Sequence, residues 1–180
     1  MALLCTTKRG DSAAKRDDLV CVAVDGNPMR VFERAIVIDE PWVSRVLRGD
    51  KAWEMRSKPT RHRGLLGIIR KGSGQVVGTA LLLDSLQALS RPEFTRHEAE
   101  HRIPGAEQDD AFRRGWRFPW VLAEARALPR PVQFSHRSGQ VIWVRLDDDA
   151  DLAIQSALQT TKAEPESDKG RESPAVREHR

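Results

Sequence analysis

Between residues 35 and 146 the apolar runs are short and are separated by glycine or proline, and this rhythm limits the fold more than any other feature. Ala35-Ile-Val-Ile38 is wholly apolar over four residues, the pattern of a strand buried on both faces. Gly64 to Lys71 and Gln75 to Asp84 flank Gly72-Ser73-Gly74, a turn whose glycines tolerate positive φ, so the two runs read as a hairpin. Trp120 to Ala127 and Val132 to Phe134 flank Pro129-Arg-Pro131 as a less regular second hairpin. Gln140 to Leu146 follows the turn-forming pair Ser138-Gly139 and closes the set. Helices are scarce. Pro41 suits a first helical turn, with Val43, Val46 and Leu47 on one face, Arg45 and Arg48 outward, and Gly49 as the stop. Arg91 to Arg102, ended by Pro104-Gly105, is the other helical stretch. Five or six strands with two or three short helices predict a small α+β barrel. A parallel sheet would need a helix for each crossover.

The flanks differ in chemistry from this middle. Residues 1–34 carry six Lys/Arg and five Asp/Glu, residues 35–146 carry 19 and 12, and residues 147–180 carry five and nine, so a basic middle precedes an acidic tail. Residues 1–34 are expected to form a partly disordered arm around one apolar run, Leu19 to Val24, and 35–146 the domain proper. Residues 147–180 are expected to be a mostly disordered acidic tail with a short helix around Leu152 to Leu158. The longest apolar stretches, such as Gln75 to Leu83, are far too short to span a bilayer, and no signal-peptide core opens the chain. A cytoplasmic protein is the expectation. Cys5 and Cys21 are the only cysteines, which excludes a disulfide scaffold and a CxxC zinc site, and no GxGxxG or Walker A loop occurs. No cofactor is expected.

Two constellations carry chemistry. His97-Glu-Ala-Glu-His101 matches HExxH in form, which on a helix aims two imidazoles at one metal. Its neighbours Arg96, Glu98, Glu100 and Arg102 read instead as a solvated charged helix, with Glu124 a third ligand only by assumption; metal is not expected. The second constellation is denser. Ala52 to Ser57 alternates, so that Trp53 and Met55 share one side of a strand and Glu54 and Arg56 the other. From Arg56 to Lys71 six cations (Arg56, Lys58, Arg61, Arg63, Arg70, Lys71) and His62 occur with no carboxylate. Such a patch concentrates phosphate. Lys51 and Arg63 suit phosphate, Arg56 a phosphate or a base edge, and Glu54 either Arg56 or a base amino group; Trp42 or Trp53 offers a stacking face. The competing reading makes Glu54 and Arg56 an ordinary ion pair, both tryptophans core, and the cations a solvated surface.

The order Pro41-Trp42, then Arg48-Gly49-x-Lys51-x-x-Glu54-x-Arg56-Ser57, then Thr60-x-x-Arg63-Gly64-x-Leu66-x-Ile68 resembles the activating signal cointegrator homology (ASCH) family, a branch of the PUA-like fold. Val76-Val77-Gly78, His101 to Pro104 and Gly139 to Val144 add to the resemblance, which covers most of residues 35–146. It implies a barrel with a cleft facing the helix before Gly49. Lys51, Glu54 and Arg56 would line that cleft, and Ser57, Thr60 and Arg63 its rim. It also implies an RNA, single-stranded nucleic-acid or nucleotide partner. Relatives that hydrolyse acylated cytidine use a lysine, a threonine and a glutamate; here Lys51 stands for the lysine and Glu54 occupies the threonine position. Other relatives are ribonucleases. The Pro-Trp and Arg-Gly flanks are most similar to a nucleic-acid-binding branch. A binding module is therefore the leading expectation, and a hydrolase with Lys51 and Glu54 as catalytic pair the alternative. A third expectation is that the acidic tail contacts a protein partner or folds back over residues 56–71.

Overall fold

The computed structural model describes residues 30–135 and 142–162; the expected Leu19 to Val24 run, the Ser138-Gly139 turn and residues 163–180 lie outside them. Six strands form one mixed sheet in the order β2-β5-β4-β3-β1-β6, curled into a half-barrel. In chain order the elements are β1 (Arg34–Ile38), α1 (Trp42–Leu47), β2 (Trp53–Arg56), β3 (Gly64–Arg70), β4 (Gln75–Ser85), α2 (Arg91–Arg96), α3 (Glu98–His101), α4 (Gly105–Arg113), β5 (Phe118–Gln133), β6 (Trp143–Arg145) and α5 (Asp148–Lys162). Only β1 and β3 run parallel; the other neighbours are antiparallel.

β1 is buried on both faces. Ile36 and Ile38 join Val43 and Val46 of α1, Leu66, Ile68, Leu82 and Trp120 in the cluster inside the curl. Ala35 faces a second cluster with Ile69, Val76, Val144, Leu146 and Ile154. The β3–β4 hairpin forms as its glycine turn predicts, with Gly64 opposite Leu82 and Ile68 opposite Gly78. Gly78 has no side chain for a reason: a Cβ there would stand 2.3 Å from the Leu47 Cδ2 and 2.6 Å from the Arg126 carbonyl oxygen.

Three segments differ from the sequence expectation. Trp120 to Phe134 is not a hairpin: β5 runs through Pro129 and Pro131 to Gln133. The register jumps from Gly78↔Ala127 to Val76↔Val132, so both prolines fall in a bulge where no ladder N–H is required. The Arg91 to Arg102 helix is broken at His97, which caps α2 and opens α3, and a further helix, α4, follows Pro104.

The third difference is the acidic segment. α5 spans 15 residues rather than a short helix around Leu152 to Leu158 in a mostly disordered tail, and it is docked. Ala150 and Ile154 are buried in the second cluster. The Asp-rich run supplies the helix start: Asp147 Oδ1 accepts from Ala150 N at 2.8 Å, and Asp151 accepts from Phe32 N at 2.7 Å and from Val31 N at 3.2 Å. Carboxylates at a helix N-terminus complement its positive dipole end. Asp148 also pairs with Arg30 at 2.9 Å, so three of these carboxylates hold the fold together.

Candidate functional site

The edge strands of the sheet are β2 and β6, the half-barrel does not close between them, and the site lies in that seam, beside the end of β1. Arg56 bridges the gap, its Nη2 donating to the Val37 carbonyl at 2.8 Å. Nearby, Trp120 of β5 stacks on Trp143 of β6 at 5.1 Å between centroids. A cleft of about 410 Å³ opens along the seam, lined by Trp42 of α1, Lys51, Glu54, Arg56 and Ser57 around β2, and Arg114 and Trp116 after α4.

The alternation of β2 gives the polar floor. Glu54 and Arg56 lie two residues apart on one face, with Glu54 Oε1 3.2 Å from Arg56 Nη2 and Oε2 3.6 Å from Lys51 Nζ. One carboxylate therefore serves two cations, all three groups being largely withdrawn from water: Lys51 is 3% exposed and Glu54 8%. Lys51 also donates to the carbonyls of Trp53 and of His101, the latter at 2.9 Å, and lies over the Trp42 ring. Two of its N–H groups are thus spent on backbone carbonyls, with Glu54 its ion-pair partner at 3.6 Å. Burial holds the Lys51 ammonium below the ordinary lysine range, against the pull of Glu54. Arg56 keeps its Nε buried and without a protein partner, while its guanidinium covers the Trp120 ring.

His101 supports this floor. Its Nε2–H donates to the Phe94 carbonyl at 2.7 Å, and its Nδ1 accepts from Ile103 N at 3.0 Å, which fixes the neutral tautomer. Burial, with the Lys51 charge adding to it, holds its pKa below the usual histidine range. So His101 is a core residue rather than part of a solvated helix, and both ring nitrogens are engaged by the fold. His97 lies apart, its ring 4.7 Å from that of Trp53 and its Nδ1 3.3 Å from Glu100.

The residues singled out in the sequence divide in two. Trp42, Lys51, Glu54, Arg56 and Ser57 meet in the cleft. Trp42 is half-buried and packs on both the inner cluster and the cluster under α2 to α4, so it is core and wall at once. Thr60 and Arg63 are elsewhere. Thr60 accepts from His62 N, and Arg63 pairs with Asp84 at 2.5 Å on the outer surface. Trp53 packs on the helical cluster and does not line the cleft. The carboxylate-free run does not stay unneutralised either: Arg70 meets Glu40 at 3.2 Å and Lys71 meets Asp39 at 2.5 Å. Along the cleft, Lys51, Arg56, Lys71 and Arg114 face Asp39, Glu40 and Glu54, four cations against three carboxylates. The formal balance of the lining is one positive charge. Arg114 and Trp116 are the residues the sequence reading missed. The signal was present in Arg113-Arg114-Gly115-Trp116-Arg117, where cations interleave with an aromatic.

Such a curled sheet with a polar cleft in its open seam is a PUA-like domain. The ASCH domain model matches residues 36–131, and the chain belongs to that family. Solved structures of ASCH from Zymomonas mobilis share the fold. One is 16% identical with a TM-score of 0.53, covering 71% of this chain and 93% of that one. Two single-substitution variants of the same protein are each 17% identical, with TM-scores of 0.56 and 0.55; they cover 71% and 68% of this chain and 96% of their own. No curated protein matches the chain. No helix among the described residues is long and apolar enough to cross a membrane.

Proposed function

We propose that this domain binds a nucleotide of an RNA or other single-stranded nucleic acid in the seam cleft. The observation that carries this is the meeting of Glu54, Arg56 and Ser57 with an aromatic wall, Trp42, in a hollow of about 410 Å³ that has Trp116 at its mouth. That volume falls in the range of small-ligand sites. The hollow offers acceptors, donors and flat apolar faces together, which is what an unstacked base with its phosphate requires. Arg56 meets the ligand through the part of its guanidinium that lines the cleft, Glu54 orients Arg56, and Lys51 acts through Glu54 rather than on phosphate directly. Titrating the protein with short RNAs and DNAs at low and moderate salt tests this. Affinity should fall with salt, and Arg56→Gln should weaken binding about tenfold while the protein stays folded. Absence of binding at low salt would refute the reading, as would binding indifferent to Arg56→Gln.

One observation favours hydrolysis as a second reading. Lys51 is buried beside Glu54 with its basicity reduced, a usual preparation for proton transfer. Incubation with N-acylated cytidine and with single-stranded RNA tests it: product formation that Lys51→Met abolishes would make the protein an enzyme.

A further inference from the structure

The turn that leads from α4 into β5 has a composition that its structural duties do not explain. Arg113-Arg114-Gly115-Trp116-Arg117 places a tryptophan at the cleft mouth with 37% of its surface exposed, although a turn of this kind would normally bury or omit so large an apolar ring. Gly115 adopts φ +78°, and a Cβ on it would meet only the Ser57 Cβ, at 4.0 Å. The turn therefore lies against the end of β2, where the β2–β5 pairing stops at Arg56↔Phe118. Trp116 is held in place on its own side: its backbone N–H donates to the Ala111 carbonyl at 3.1 Å, and the Arg114 guanidinium covers the ring, its centre 5.5 Å from the ring centroid. Arg114 is in turn fixed by Asp110 at 2.7 Å. Arg117 covers Phe112, 5.2 Å from that centroid, and Lys58 stands exposed on the facing segment with its carbonyl accepting from Trp120 Nε1. The result is an exposed aromatic ring backed by one cation, in a turn that carries further arginines, with Asp110 the carboxylate that pairs with Arg113 and Arg114.

From this geometry we infer that the 113–117 turn is a platform for the nucleotide next to the one in the seam cleft, Trp116 stacking its base and Lys58 and Arg117 meeting its phosphate. The inference rests on the function proposed above and narrows it: the ligand is a single strand of two or more nucleotides, not a free nucleotide. Stacking on an aromatic ring is tolerant of sequence, so the platform adds affinity without adding base choice.

The test compares uridine monophosphate, tetrauridylate and tetrathymidylate as ligands for the full chain and for its Trp116→Ala, Trp116→Phe and Arg117→Gln variants. In the unchanged protein a tetranucleotide should bind at least about tenfold more tightly than the monophosphate. Trp116→Ala should erase most of that advantage, Trp116→Phe should keep it, and Arg117→Gln should lower the salt slope for the tetranucleotide by about one. The RNA and DNA arms decide which strand the platform receives. Equal binding of monophosphate and tetranucleotides, or Trp116→Ala weakening both ligands by the same factor, would overturn the platform and leave the cleft intact as a nucleotide site. Failure of all three ligands to bind at low salt would instead overturn the cleft itself, and the platform with it.

Discussion

The apolar cluster on one face of β1 and the polar seam at the open edge of the sheet solve the burial problem in opposite ways. On the face covered by α5, Phe32, Ile69, Val76, Val144, Leu146 and Ile154 form an apolar cluster in which stability comes from area removed from water. At the seam, Lys51, Glu54 and Arg56 are withdrawn from water with one carboxylate between two cations. Desolvating such groups costs more than their attraction readily returns. The apolar face is what holds the domain together, and the polar seam is kept for something other than stability.

Removing the shared carboxylate breaks this comparison most sharply. Glu54→Leu leaves two buried cations facing each other, and denaturant melts should show a loss of about 3–5 kcal/mol. Replacing the trio together, by Lys51→Met, Glu54→Leu and Arg56→Met, should recover much of that loss while nucleic-acid binding disappears. If the triple variant is no more stable than Glu54→Leu, the seam charges contribute net stability and the contrast is wrong. On the apolar face, Ile154→Ala should cost about 2–4 kcal/mol by the same melts, because the residue is fully buried against the sheet. A cost near zero would mean that α5 is an appendage.

The smallest effect is in pH. His101 has a folded pKa below its unfolded value, so between the two the unfolded chain binds more protons and stability rises with pH. Acidification through the ordinary histidine range, near pH 6.5, should therefore erode stability, the loss levelling off once the folded imidazole is also protonated. His62 is shifted in the same direction, chiefly by burial, and contributes with the same sign. Melts taken from about pH 8 to 5 on the protein and on His101→Gln should show a shallower slope in the variant. An unchanged slope would assign the effect elsewhere.

Much of this was legible in the chain. The four-residue run Ala35 to Ile38 gave a doubly buried strand, and Gly72-Ser73-Gly74 gave the hairpin. The alternation of Trp53 to Arg56 put Glu54 and Arg56 on one face, as their ion pair reflects. These are local patterns in which side-chain direction follows from backbone period alone. The failures share a cause as well. Pro129 and Pro131 read as a hairpin turn because the bulge that admits them depends on the register with β4. The Asp147 to Asp151 run read as solvated charge because its partners, the backbone N–H groups of Val31 and Phe32, lie more than a hundred residues away.

By itself the sequence determined the strand rhythm, the helix that plugs the curl, and the spacing that sets Lys51, Glu54 and Arg56 near one another, since each follows from contacts within a few residues. Only the tertiary structure decided that Lys51 spends its protons on the Trp53 and His101 carbonyls, that Arg63 turns away to Asp84, and that Arg114 and Trp116 complete the cleft. The physical reason is that a side chain's available charge depends on which distant carbonyl or carboxylate the fold brings to it, and a curled sheet brings them from strands with no neighbourhood in the chain.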